Sequence, residues 1–503
     1  RRNLCRAICR SCPHHTWNLT RSMSNGQAVT ASLVASLGAF LFGLDIGYIA
    51  PILECASFKR DVGHLENWQS PESKIHAGQA GFIVAIFSIG CLITSFPPIS
   101  SYFLDEFGRR NSIMLGGVIF LLGCALQAGS ASMQVFLVGR LITGTSIGLL
   151  SNVVPLYQAE MAPQNLRGTL TSMYNMMITS GIFVAALLDV FLVDIDGGWR
   201  TAIALQALPA LIILSAMPFL PRSPRWLVQQ GRNEEAERML AHLRGDKLVV
   251  QKELQEILAE YQAEKELSGS WKEVFSGKLL RLVCLGSALQ MLQQLVGMNA
   301  FMYFGPRIFA DIGFNANLFQ TVSNAVNMIF TLPALYFIEC TGRRFLFMGG
   351  AVCMAVATLA LGLLGSFGME GGHGKSPAVN TAMAAMVLTF VAAFASTWGP
   401  VVWVYCAEMF PLRYRARCVG VTTMTNWIGN FLIAQFTPML LAKIGFDTFF
   451  IFGFFCLLAL LLGWWLPETA GVPLEQVGLL FDHHFQEEKP SEFCNSYGAI
   501  KTA

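Results

Sequence analysis

Charge is what this 503-residue chain has least of: Asp, Glu, Lys and Arg make up 13% of it, about half the share of an ordinary soluble domain. With 54% hydrophobic residues against so few charges, a soluble cytoplasmic globule is excluded. No Walker-type glycine loop, nucleophile motif or metal-ligand cluster stands in a credible context. That removes direct ATP drive, argues against an enzyme, and leaves no cofactor or metal to expect. A disulfide framework is missing as well. Nearly all of the 13 Cys lie inside apolar segments or near the ends, with Cys55 alone in a predicted outer loop. The net charge of +2 gives no reason to expect a nucleic-acid partner.

What the chain does have is apolar runs long enough to span a bilayer, which takes about 20 residues each. There are twelve, in two groups of six: 28–50, 78–101, 112–130, 133–157, 168–193 and 199–219, then 280–309, 316–338, 345–367, 379–406, 416–440 and 447–466. The expected fold class is therefore an all-α membrane protein embedded in a lipid bilayer. Its parts are an N-tail (1–27), a six-helix half (28–219), a helical linker (220–279), a second half (280–466) and a C-tail (467–503). On the side holding both termini, Lys and Arg number 26, against six on the other. The positive-inside rule then places the termini and linker in the cytoplasm. Within the linker, Glu234 to Arg244 and Lys252 to Glu266 have the pattern of amphipathic, charge-laced helices. The N-tail carries five Arg and no acid, with Cys5, Cys9, Cys12, His14 and His15 close together. A zinc site or a transit peptide are minor readings of it. A natural start at Met23 would leave the first 22 residues outside the mature protein.

Short charged motifs recur in the two halves. Phe107-Gly108-Arg109-Arg110 matches Thr341-Gly342-Arg343-Arg344, and Ala159-Glu160-Met161 with Arg167 matches Ala407-Glu408-Met409 with Arg413, Arg415 and Arg417. Arg triplets alone could merely mark positive loops, but paired motifs at nearly one offset argue for a duplicated six-helix half. A transporter so built holds its substrate near the midplane where the halves meet.

With these motifs the chain resembles the sugar porter family of the major facilitator superfamily, over about Ala28 to Phe481. The resemblance rests on Gly139-Arg140, on Pro155 through Pro163 with Leu166-Arg167-Gly168, on Pro221-Arg222-Ser223-Pro224-Arg225-Trp226-Leu227, on Gln293-Gln294-Leu295-Val296-Gly297-Met298-Asn299, on Trp398-Gly399-Pro400 and on Pro467-Glu468-Thr469-Ala470-Gly471. It implies alternating-access transport of a monosaccharide, such as glucose or another hexose, with no covalent chemistry. The residues support this independently. A sugar presents hydroxyls and an apolar face, so its site calls for uncharged amides and aromatic rings. Intramembrane polar groups tend to face a cavity. Gln293, Gln294, Asn327 and Asn426 fall near the middle of their spans and Asn175 a little inward. The resemblance adds Asn299, Tyr303, Trp398 and Trp403 as substrate contacts, and makes the segments around Gly297, Gly305-Pro306 and Gly399-Pro400 gates. The plainer alternative is that such amides only bond helix to helix. Two departures from the family pattern bear on which sugar is taken: Asn175 stands where Gln is usual, and Phe304 follows Tyr303 where a second Tyr is usual.

Asp45 in span 1 and Arg140 in span 4 fall at similar depth in the outer half. Burial raises a carboxyl pKa and a nearby guanidinium lowers it, so a changing separation can switch an acid between holding and releasing a proton. The resemblance implies the same: proton-coupled members have an acid at this position. Asp45 is thus the expected proton carrier and Arg140 its partner, against a permanent structural salt bridge. Arg109, Arg110, Glu160, Arg167, Arg343, Arg344, Glu408 and Arg417 resemble the family's cytoplasmic gate network. Open alternatives are a passive uniporter, a polyol, inositol or organic-acid carrier, and a non-transporting sugar sensor. Sensors of this family tend to have long cytoplasmic extensions, whereas about 37 residues follow Leu466 here. The plasma membrane is the family's default location.

Overall fold

The computed structural model describes residues 26–481 apart from 69, 71–72, 163–166, 245–246, 267–270, 368–375, 412–413, 471 and 473–479. The N-tail cysteines and histidines, Met23, Arg413 and the C-tail beyond 481 lie outside the described residues, as does the side chain of Arg167. All elements among the described residues are helical. The spans are α1 (Gly26–Glu54), α2 (Ala77–Ser95), α3 (Arg109–Ala128), α4 (Met133–Met161), α5 (Arg167–Leu192), α6 (Gly198–Phe219), α7 (Gly277–Ile312), α8 (Ala316–Thr341), α9 (Arg343–Phe367), α10 (Pro377–Met409), α11 (Arg415–Ile444) and α12 (Thr448–Trp465). They are apolar around most of their circumference, as helices facing lipid on one side and protein on the other must be.

Two spans break where a site would need them to. Gly297, at φ 96°, ends one half of α7 (Gly277–Leu295) and starts the other (Met298–Ile312). Span α10 breaks at Thr397, two residues before Gly399-Pro400, so that pair sits in the first turn of the second segment (Trp398–Met409). There the N–H that proline lacks has no helical partner to lose.

Small residues bring particular backbones together. A Cβ on Gly43 would lie 2.0 Å from the Ile178 carbonyl oxygen, and one on Gly181 2.4 Å from that of Phe40, so α1 and α5 touch backbone to backbone. Span α2 meets α4 in the same way at Gly90 and Gly144. These crossings set Asp45, two residues beyond Gly43, and Arg140, one turn before Gly144, inside the first half.

The duplication is visible atom by atom on the face that carries the linker. Gly108 and Gly342 both have positive φ, 78° and 86°. The Arg109 Nη2 lies 2.9 Å from Glu160, and the Arg343 Nη2 2.6 Å from Glu408. Each Arg also donates to a carbonyl five residues back, Leu104 and Ile338. The Tyr157 hydroxyl donates to the Pro221 carbonyl at 2.7 Å, and the Tyr405 hydroxyl to that of Pro467 at 3.0 Å. Arg110 reaches the carbonyls of Pro218 and Leu220 at the end of α6, as Arg344 reaches that of Trp464 at the end of α12.

The linker folds on itself through Trp226, Leu227, Leu240, Val250 and Ile257. Its helices are Pro224–Gln229, Asn233–Arg244 and Lys247–Glu266. Arg244, held by Glu253 at 2.8 Å, donates to the Met161 and Ala162 carbonyls and so caps the end of α4.

Candidate functional site

The amide residues of α7 and α11 are bonded into one network. Gln290, Gln293 and Gln294 share a face at i, i+3 and i+4. The Asn426 Nδ2 donates to Gln290 Oε1 at 2.6 Å and to Gln293 Oε1 at 2.7 Å, and Gln294 Nε2 donates to Asn426 Oδ1 at 2.9 Å. Asn299, at the start of the second segment of α7, donates to Gln294 Oε1. Gln293 Nε2 donates to the Trp398 and Gly399 carbonyls at 3.0 and 2.8 Å, tying α7 to the break in α10. A separate link to the other half lies one turn on from Asn426, at Asn430, whose Oδ1 accepts from the Tyr303 hydroxyl at 3.1 Å and from Ser88 of α2 at 2.8 Å.

Asn175 on α5 and Asn327 on α8 stand apart from this cluster, and no side-chain hydrogen bond joins either to another described residue. Trp403 is half-buried. The Trp398 side chain is fully buried: its Nε1 donates to the Phe347 carbonyl at 2.9 Å and its ring lies 5.0 Å from that of Phe347. It anchors α10 to α9, and only its backbone reaches the amide network. Trp427 packs against the first half. Its ring is 5.6 Å from Phe42 of α1 and 6.3 Å from Phe87 of α2, and its buried Nε1 has no acceptor. Gln290, Asn430 and Trp427 are not among the site residues expected from sequence. A helical signal is there, since Gln290 and Gln294, like Asn426 and Asn430, are four apart.

Arg140 and Asp45 form a fully buried ion pair, Nη1 to Oδ2 2.6 Å, with both side chains 1% exposed. The Asp45 Oδ1 has no hydrogen-bond partner. Arg140 also donates to the Tyr48 hydroxyl at 3.0 Å, Tyr48 donates to Gln127, and Gln127 donates to Thr143 at 3.1 Å. The guanidinium lies 4.9 Å from the Phe87 ring, and Phe87 touches Trp427 of the other half. A continuous path thus runs from the ion pair through two aromatic rings to the helix that carries Asn426 and Asn430.

Polar links between the halves gather on the face opposite the linker. They include Gln435 Nε2 to the Gly78 carbonyl at 3.2 Å, the Thr321 hydroxyl to the Ala186 carbonyl at 3.1 Å, and Lys74 to Asp311 at 3.7 Å, with Ser88 to Asn430 near mid-span. On the linker face, the Arg109–Glu160 and Arg343–Glu408 pairs each stay within one half. This conformation is joined on the opposite face.

A family model described as sugar (and other) transporter matches residues 31–481. The chain is 33% identical to the galactose-proton symporter of Escherichia coli (strain K12), over 88% of this chain and 92% of that protein. It is 34% identical to the high glucose sensor RGT2 of Saccharomyces cerevisiae, over 91% of this chain and 61% of that one. The inward open structure of the xylose transporter XylE from E. coli matches with a TM-score of 0.75 at 28% identity, over 90% of this chain and 99% of that one. With its two related six-helix halves and buried intramembrane network, the chain belongs to the sugar porter family of the major facilitator superfamily, and is a multi-pass membrane transporter rather than an enzyme.

Proposed function

We propose that this protein carries a hexose into the cell together with a proton, in the plasma membrane, with the linker face cytoplasmic and the opposite face outside. The observation that carries the reading is the Asp45–Arg140 pair: a carboxylate wholly out of water, satisfied on one oxygen and open on the other. Proximity to a guanidinium favours the ionised carboxyl, and separation in a buried place favours the protonated one. In this account Asp45 takes a proton from outside while Arg140 is drawn away, and gives it up inside when the pair re-forms. Phe87 and Trp427 make the position of Arg140 sensitive to how the halves lie around the sugar. Gln290, Gln293, Gln294, Asn299, Asn327, Asn426 and Asn430 offer the sugar donors and acceptors from the second half, and Asn175 from the first. Tyr303, Trp403 and Trp427 offer aromatic faces. Residues 28–219 and 280–466 are the bodies that rock about this site.

One proton moving down 100 mV and one pH unit releases about 3.7 kcal/mol, enough to hold sugar roughly 400-fold more concentrated inside. The test is Asp45→Asn. Net accumulation is expected to collapse to the outside level while sugar exchange persists. Concentrative, pH-dependent uptake that survives the substitution would overturn the assignment.

A further inference from the structure

A second intramembrane acid plays no part in this scheme. Asp189 lies one turn from the outer end of α5, is wholly buried, and neither carboxyl oxygen has a hydrogen-bond partner. Its place is fixed by its neighbours. One and two turns below, Ala185 and Ile182 lie against Gly47 of α1; one turn above, the Cys55 thiol reaches the Val193 carbonyl at 3.1 Å. Asp189 is therefore level with Pro51, the proline inside α1. Pro51 has no N–H to give the Gly47 carbonyl, so this stretch of α1 offers a spare acceptor rather than a donor. An acid that keeps its proton suits such a place, and a carboxylate does not.

The charged and titratable groups on the surrounding helices are otherwise engaged. Asp45 and Tyr48 of α1 are held by Arg140 of α4, and Glu54 at the end of α1 pairs with Lys59. Arg200 of α6 pairs with Asp61 and the Ala128 carbonyl, and the outer turns of α8 bring the neutral amides Gln320 and Asn324. Among the described residues, no side chain hydrogen-bonds to the Asp189 carboxyl. One turn before it, the Ala186 carbonyl accepts from Thr321 of the other half, a contact that has to part when the outer side opens.

From this arrangement, and resting on the alternating-access reading above, we infer that Asp189 is a second proton-binding site, loaded from the outside, whose protonation is required for α5 and α8 to close over the sugar. Ionised Asp189 holds the outer side open, because closure would bury its charge without a partner. The site differs from Asp45 in both place and role, since it gates closure and sets no accumulation ratio.

The experiment is exchange of labelled glucose across liposomes holding the full chain, at fixed internal pH and varied external pH. In the wild type the exchange rate is expected to fall as external pH rises, by up to ~10-fold per unit once the acid ionises. Asp189→Asn, neutral and of the same shape, is expected to retain exchange at low external pH and to make that fall shallower, leaving only the part that loading of Asp45 contributes. In an Asp45→Asn background the fall is expected to persist, and in the double variant to vanish. An unchanged pH profile in Asp189→Asn, or a flat profile in Asp45→Asn alone, would overturn the inference. Failure of the coupling reading would show elsewhere, as accumulation that survives Asp45→Asn.

Discussion

At the scale of single residues, the candidate site is a set of amides that spend their hydrogen bonds on one another, and in the proposed account a sugar takes some of them. Asn430 and Trp427 are the proposed centre of that exchange, since Asn430 joins Tyr303 to Ser88 and Trp427 packs its ring against Phe42 with its N–H unpartnered. Losing one hydrogen bond to a neutral partner costs about 0.5–1.5 kcal/mol. Asn430→Ala is therefore expected to raise the half-saturating glucose concentration about 2-fold to 12-fold, read from initial uptake rates. Trp398→Phe should instead act through stability. It removes the indole bond to the Phe347 carbonyl that ties α10 to α9, so the expected result is a lower melting temperature in detergent with glucose affinity little changed. The Gln and Asn residues at mid-span were legible in the sequence because a polar side chain in an apolar run is conspicuous. Side-chain direction was not. Trp398 and Trp403 share one apolar stretch, and only the helix break at Thr397 turns Trp398 toward α9. Trp427 was hidden because an aromatic among aromatics carries no mark of which way it faces.

At the scale of elements, the broken helices matter more than the straight ones. Span α7 turns at Gly297 with φ 96°, and a Cβ there would lie 2.6 Å from the Phe452 ring. Gly297→Ala is therefore doubly strained, at about 1–3 kcal/mol for the backbone alone. The expected outcome is a slowed transport cycle or a lowered melting temperature; unchanged uptake and stability would contradict the hinge. Further out, Pro306 leaves the Met302 carbonyl without its helical donor, and the Gln320 amide of α8 points at it from 3.4 Å. Span number and order followed from hydropathy, since a bilayer admits little else. The exact breaks did not, because proline marks where a helix can be interrupted and tertiary contacts decide where it is. Thus α10 breaks at Thr397 and leaves Gly399-Pro400 inside the next turn.

At the scale of the whole molecule, two copies of one half share a set of linker-face bonds, while polar links between the copies gather on the opposite face. The duplication could be read from paired motifs because their roles are backbone-bound: glycine for a positive φ, Arg for a carbonyl and a Glu, Tyr for a proline carbonyl. The conformational state could not, since no sequence pattern says which face is joined. Replacing Lys74 and Asp311 with cysteines and bridging them with a reducible bifunctional reagent should stop glucose uptake, and reduction should restore it. Uptake indifferent to a verified bridge would contradict an outer closure that has to open in each cycle. Glu160→Gln, which removes an acid of the expected cytoplasmic gate network, is expected to shift the population toward the inward-facing form. Unchanged state-dependent cysteine labelling would count against that role.

The most direct measurement of the central claim is uptake of labelled glucose by cells lacking their own hexose carriers, with and without a protonophore. The account expects accumulation above the outside level that collapses when the protonophore is added. Uptake that only equalises, with or without it, would contradict proton coupling and reduce the Asp45–Arg140 pair to a structural salt bridge.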